Sequence, residues 1–120
     1  MKSRQTKRLG QSAEALAADF LISNGYEIIT RNFYSAYGEI DLIAKAANLL
    51  VFVEVKARCS NLESALNSVS KAKQQKIINT ASIFLSQNSN YELMPTRFDV
   101  ISVIQKNDIK QLHHLPDAFR

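Results

Sequence analysis

The strongest restriction on the fold comes from one run that changes character along its length. Residues 49–58, LLVFVEVKAR, begin apolar and end ionic. Successive side chains of a strand point to opposite faces. Leu49, Val51, Val53 and Val55 would therefore share one face, and Leu50, Phe52, Glu54, Lys56 and Arg58 the other. Residues 38–46 divide the same way, with Ile40, Leu42 and Ala44 set against Glu39, Asp41 and Ile43. Ala47 and Asn48 separate the two runs, and Asn tolerates a positive φ, so a tight hairpin is predicted. Ala47 is a poor occupant of a type I′ turn, which leaves a longer loop open. Symmetric closure sets Asp41 opposite Glu54, Glu39 opposite Lys56 and Ile43 opposite Phe52. A one-residue slip would mix ionic and apolar faces, so the pattern selects this register or one shifted by two.

Directly opposed side chains lie about 5 Å apart at Cβ, close enough for two carboxylates to share one cation. Without a positive charge between them Asp41 and Glu54 would repel. Lys56 lies on the same face as Glu54 and can reach that space. Two acids and a lysine on rigid strands suit phosphodiester hydrolysis. The acids would hold Mg²⁺, which polarises a phosphoryl oxygen and activates water, and the lysine would stabilise developing charge or position the water. The competing reading is a solvated hairpin face with alternating charge.

The rest of the chain supports one domain over residues 1–120, with residues 1–8 as a flexible basic segment. Leu9, Ala13, Leu16, Ala17, Phe20 and Leu21 recur at helical spacing, predicting a helix over 9–23 that stops at Asn24-Gly25. Strands are predicted over 26–34, 38–46, 49–58 and 97–105, with a short final one over 109–115 after a turn at Asn107-Asp108. A second helix begins near Ser64 or Ser68 and ends at Gln87, burying Ile77, Ile78, Ala81, Phe84 and Leu85. The order is α-β-β-β-α-β-(β), an α/β class with a central mixed sheet flanked by helices.

Composition excludes several classes. A 46% hydrophobic and 22% charged chain is globular, not disordered. Its longest apolar run, residues 49–53, is far short of a bilayer span. The basic N-terminus lacks the apolar core of a signal peptide, so a cytoplasmic location is expected, with no membrane partner. Cys59 stands alone, which excludes an internal disulfide. The net charge of +4 is modest, but Lys71, Lys73 and Lys76 cluster at one helical turn and are candidate nucleic-acid contacts. Arg97 and Asp99 read as a structural pair, and His113 and His114 as unrelated to the chemistry.

The segments Gly38-Glu39-Ile40-Asp41, Phe52-Val53-Glu54-Val55-Lys56 and Arg97-Phe98-Asp99-Val100 stand in the order and approximate spacing of the bacterial YraN family. Gly25-Tyr26, Arg31-Asn32-Phe33, Lys73 and Ala118-Phe119 extend the likeness over residues 10–119. That family is similar to the PD-(D/E)xK, or restriction-endonuclease-like, nucleases and among them to Holliday-junction resolvases. The resemblance implies an αβββαβ core, catalytic roles for Asp41, Glu54 and Lys56, and a metal held by Asp41, Glu54 and the Val55 backbone carbonyl. It also implies a helix-one acid, here Glu14, and gives Glu39 a signature position that a pair with Lys56 would explain structurally. Ala13 replaces the glycine usual before that helix-one acid, and residues 59–64 lack the family's glycine.

The function so implied is Mg²⁺- or Mn²⁺-dependent endonucleolytic hydrolysis of structured or branched DNA, DNA being expected over RNA. Nothing in the sequence reads bases, so shape or backbone recognition is expected. Symmetric cutting of a junction would call for a homodimer. Two alternatives stay open: a non-catalytic nucleic-acid-binding module keeping the nuclease fold, and a protein-interaction scaffold with a structural charge cluster.

Overall fold

Alternation of small and branched apolar residues on the middle strands leaves both of their faces in need of cover, and helices supply it. The computed structural model describes the backbone of residues 2–57, 61–106 and 109–120, and the side chains of 13–57, 61, 63–104 and 110–120. Arg58, Cys59, Ser60 and the Asn107-Asp108 turn lie outside the described residues.

The elements follow as α1 (Lys2–Ser23), β1 (Glu27–Ser35), β2 (Gly38–Ala46), β3 (Leu49–Ala57), α2 (Leu62–Asn67) and α3 (Lys71–Gln87). A 3₁₀ turn (Ser89–Tyr91), β4 (Thr96–Lys106) and β5 (Ile109–Phe119) complete them. The sheet order is β1-β2-β3-β4-β5. Among the described strands, only the β3–β4 pair is parallel. This is the mixed sheet and αβββαβ core of a restriction-endonuclease-like fold.

α1 covers one face. Ala13, Ala17, Ala18 and Leu21 pack on Leu42, Ala44, Val51, Val53, Ile101 and Val103, and the alanines let helix and sheet approach closely. α3 covers the other, setting Ile77, Ala81 and Phe84 against Ile43, Leu50, Phe52 and Val100. β3 and β4 thus bury both faces for most of their length, as parallel strands do.

α1 runs from Lys2, ahead of the start that apolar spacing marks, because Lys, Arg and Gln extend a helix without joining its apolar stripe. Gly25, at φ +87°, ends it, and Tyr26 N–H returns to the Leu21 carbonyl at 3.0 Å. The second predicted helix is two. Ser70 leaves helical geometry, and its hydroxyl accepts Lys73 N–H at 3.1 Å, so α3 starts afresh at Lys71. The β2–β3 loop is two residues after all, closed by the Ala46–Leu49 pair. Ala47, not Asn48, takes the positive φ, at +51°. Burial of both strands fixes the register and holds alanine in a conformation that costs it roughly 1–2 kcal/mol. β5 continues past its predicted end to Phe119, because a bulge beside Asp99 absorbs Pro116 and Asp117 and pairing resumes at Phe98–Phe119.

Candidate active site

The predicted hairpin register holds from Ala46–Leu49 to Leu42–Val53 and stops there. Beyond it β2 and β3 are no longer linked by a backbone ladder. Val55 N–H donates to Asp41 Oδ2 at 2.8 Å, so a side chain takes the place of a backbone acceptor. β1 is irregular at the same level. Asn32, lying between the Arg31–Leu42 and Phe33–Ile40 pairs, has φ +55°. The distortion breaks the predicted alternation of β2. Leu42 packs under α1, but Ile40 joins Ile43 on the α3 side. Asp41 sits where the strand changes hand, pointing into the fork.

Carboxylates gather around this fork. Oxygens of Glu14 on α1, Glu39 and Asp41 lie within 4.8 Å of one another. Glu54, 6% exposed, is nearby and is held by Lys56 Nζ at 3.5 Å and by Lys73 Nζ of α3 at 3.7 Å. Glu54 is not among the three mutually close acids. The predicted Glu39–Lys56 pair does not form among the described residues, because the ladder that would oppose them ends earlier and Lys56 turns to Glu54. Lys73 alone of the three helix lysines reaches an acid; Lys71 and Lys76 are exposed.

The acids are short of positive charge. Burial pushes the Asp41 carboxyl up to about 8, and the charge of Glu54 adds to the rise, against the opposing Val55 N–H. Burial also raises Glu54, although Lys73 and Lys56 pull the other way. Burial raises Glu14 too, with Glu39 and Glu54 adding to it while a hydrogen bond from Asn32 opposes. Three neighbouring carboxyls shifted upward mark a site that favours protons or another cation. Sequence reasoning missed Asn32 and Tyr34. Tyr34 lies across from Glu39 in the β1–β2 ladder, and the Glu39 charge beside it raises its hydroxyl above the usual range. An Asn inside an otherwise β-branched and aromatic strand was the available signal for the first; the second needed the register.

A second polar cluster lies on β4. Asp99, fully buried, receives Arg97 Nε at 2.8 Å on one oxygen and Arg97 Nη2 at 2.8 Å on the other. His114 Nε2 lies 2.7 Å from Asp99 Oδ2, and the Asp117 N–H donates to Oδ1 at 2.9 Å. Arg97 also donates to the Tyr26 hydroxyl at 2.9 Å. Burial opposes ionisation of Asp99, yet the His114, Arg97 and Asp117 donors together hold its carboxyl below the usual range.

Comparison with known proteins bears on the whole chain. The model of uncharacterised protein family UPF0102 matches residues 13–103. A UPF0102 protein of Rhodopseudomonas palustris (strain BisB18) is 45% identical over 112 residues, covering 93% of this chain and 80% of its own. One from Treponema pallidum (strain Nichols) is 43% identical over 121 residues, covering 97% and 95%. One from Caldanaerobacter subterraneus subsp. tengcongensis is 39% identical over 123 residues, covering 99% and 100%. Matches of this extent, on a chain with this core, make it a member of family UPF0102, the YraN family of the PD-(D/E)xK superfamily.

Proposed function

We propose that the chain hydrolyses phosphodiester bonds of structured or branched DNA with a divalent cation, Mg²⁺ or Mn²⁺. The observation that supports this reading is the fork itself, where β2 and β3 part and Glu14, Asp41 and Glu54 meet Lys56 and Lys73.

The donor set fits a hard cation: it is made of oxygens, Glu14, Glu39 and Asp41 offer theirs within 4.8 Å of one another, and the Asp41, Glu54 and Glu14 carboxyls are shifted toward the protonated form. Asp41 and Glu54 would hold the ion, with the Val55 carbonyl, and Glu14 or Glu39 would complete the set. When bound it would supply Lewis acidity toward a phosphoryl oxygen. Lys56, fixed by Glu54, carries positive charge to the point where negative charge grows on the phosphoryl group. Lys73 arrives from α3 and would hold a neighbouring phosphate. To serve as a ligand Asp41 would have to give up the proton its burial favours, since a carboxyl must ionise to hold a cation.

Labelled junction, flap and single-stranded DNA, incubated with Mg²⁺, Mn²⁺ or chelator, test the reading. Cleavage that needs the metal and disappears in Glu54→Ala and Lys56→Ala is the expected result. Cleavage that survives both variants refutes the site. Salt-sensitive binding without cleavage would favour a non-catalytic module.

A further inference from the structure

The tip of the β1–β2 hairpin carries two exposed aromatic residues beside the acidic fork. Tyr34 is 68% exposed and Tyr37 53%. Both are held by the fold. Tyr34 stands opposite Glu39, one of the clustered acids, in the β1–β2 ladder. Tyr37 stands on a turn latched to α3: Ser35 Oγ accepts Tyr37 N–H at 3.1 Å and meets the buried Thr80 Oγ1 at 2.8 Å. Thr80 in turn donates to the Lys76 carbonyl at 2.8 Å.

Beside Tyr37 lies an open cleft of about 300 Å³, lined also by Asn79, Ser82, Ile83 and Ser86 of α3. Its chemistry suits a planar heterocycle with polar edges. Tyr37 offers a ring face, Ile83 an apolar wall, and the others hydrogen-bonding groups. Asn79 Oδ1 already accepts from Gln75 Nε2 at 3.0 Å, which directs its own amide nitrogen to donate elsewhere. Ser82 and Ser86 donate to the carbonyls of Ile78 and Ile83, so their oxygens are turned into acceptors. The cleft also lies on the helix that brings Lys73 to Glu54. Tyr37 itself precedes Glu39 of the acid cluster by two residues, at most about 7 Å of extended backbone, a distance on the scale of one nucleotide of extended strand.

We propose that Tyr37 and this cleft receive an unpaired base of the strand whose neighbouring phosphate lies at the acidic fork, with Tyr34 as a second stacking surface. The inference rests on the nuclease reading and sharpens it. The preferred substrate has single-stranded nucleotides next to the scissile bond, as at a flap or an open junction, rather than continuous duplex. Stacking is tolerant of base identity, so the cleft discriminates paired from unpaired bases and not sequence.

The test is binding of dye-labelled single-stranded, overhang and blunt-duplex DNA to the full chain with Ca²⁺, read by anisotropy. A 2-aminopurine in the unpaired strand reports stacking. Strands with unpaired bases should bind more tightly than blunt duplex. Tyr37→Ala should weaken that binding about tenfold, within the range of one lost stacking contact, and leave duplex binding unchanged. Tyr37→Phe should behave as the parent, and 2-aminopurine should be quenched by the parent but not by Tyr37→Ala. Equal loss on all DNA forms, or no loss, overturns the inference while leaving the nuclease reading intact. Absence of any DNA binding brings down both.

Discussion

Asp41 and Asp99 are the same side chain in the same sheet, each placed where a strand ladder is interrupted and each accepting a backbone N–H across the gap. They are treated oppositely. Asp99 is surrounded by a guanidinium, an imidazole and a backbone donor, and is held ionised. Asp41 has one N–H and a ring of other acids, and is driven toward its protonated form. A buried carboxylate whose acceptor capacity is filled by the protein's own donors has no call for a ligand. One left among like charges does. The difference separates a structural aspartate from a candidate ligand more sharply than burial does.

The largest expected effect is on catalysis. Lys56→Ala should lower the rate of cleavage by about 100-fold or more, the scale of removing one preorganised charge from a transition state, with a thermal midpoint close to the parent's. Comparable loss in Asp99→Asn, corrected for the folded fraction, would break the comparison.

Stability should respond in the reverse sense. Asp99→Ala leaves Arg97 without its buried partner and should cost about 3–5 kcal/mol in urea unfolding. Asp41→Asn should leave the metal-free protein as stable as before or more so, since an amide oxygen can still accept Val55 N–H and the cost of burying an ionisable carboxyl beside Glu54 is gone.

The two sites should also oppose each other in pH dependence. A raised folded pKa means that the folded chain binds more protons than the unfolded one. The Asp41 contribution is therefore fullest below the ordinary aspartate range near 4 and is lost as pH rises toward about 8. The lowered Asp99 works the other way: its contribution is complete above that ordinary value and is lost as pH falls through its depressed pKa. Metal-free urea midpoints measured from pH 5 to 8 should fall less steeply for Asp41→Asn than for the parent. Adding Mg²⁺ should raise the parent's thermal midpoint, more at pH 8 than at pH 6, with proton release in calorimetry. The smallest effect belongs to the periphery of the Asp99 cluster, where Tyr26→Phe removes the hydroxyl that Arg97 meets and should cost about 1 kcal/mol.

Much of this arrangement is legible in the chain. Alternation in residues 38–57 predicts β2 and β3 and the register of their paired portion, because one slip would expose the valines to the wrong face. It does not foresee where pairing ends. The fork depends on Asn32 adopting a left-handed conformation in a neighbouring strand, and on a side chain replacing a backbone acceptor. Neither leaves a periodic trace. The arrival of Glu14 at Asp41 required the depth at which α1 sits on the sheet, set by Ala13, Ala17 and Ala18. The Asp99 cluster was half visible: Arg97 and Asp99 alternate to one face of β4, but His114 joins them only through the β4–β5 register.

The fork draws its outer members from opposite sides of the sheet, Glu14 from α1 and Lys73 from α3. A chain emerging from the ribosome carries Glu14, Asp41, Glu54 and Lys56 before Lys73 has been made. β3 cannot gain its parallel neighbour until residues 96–106 follow. Completion of the site thus waits on synthesis through β4, and a nascent chain short of that point should lack the full arrangement of charges. The topology thereby has a form of timing: the full set of charges is assembled only with the folded sheet and is lost when that fold opens.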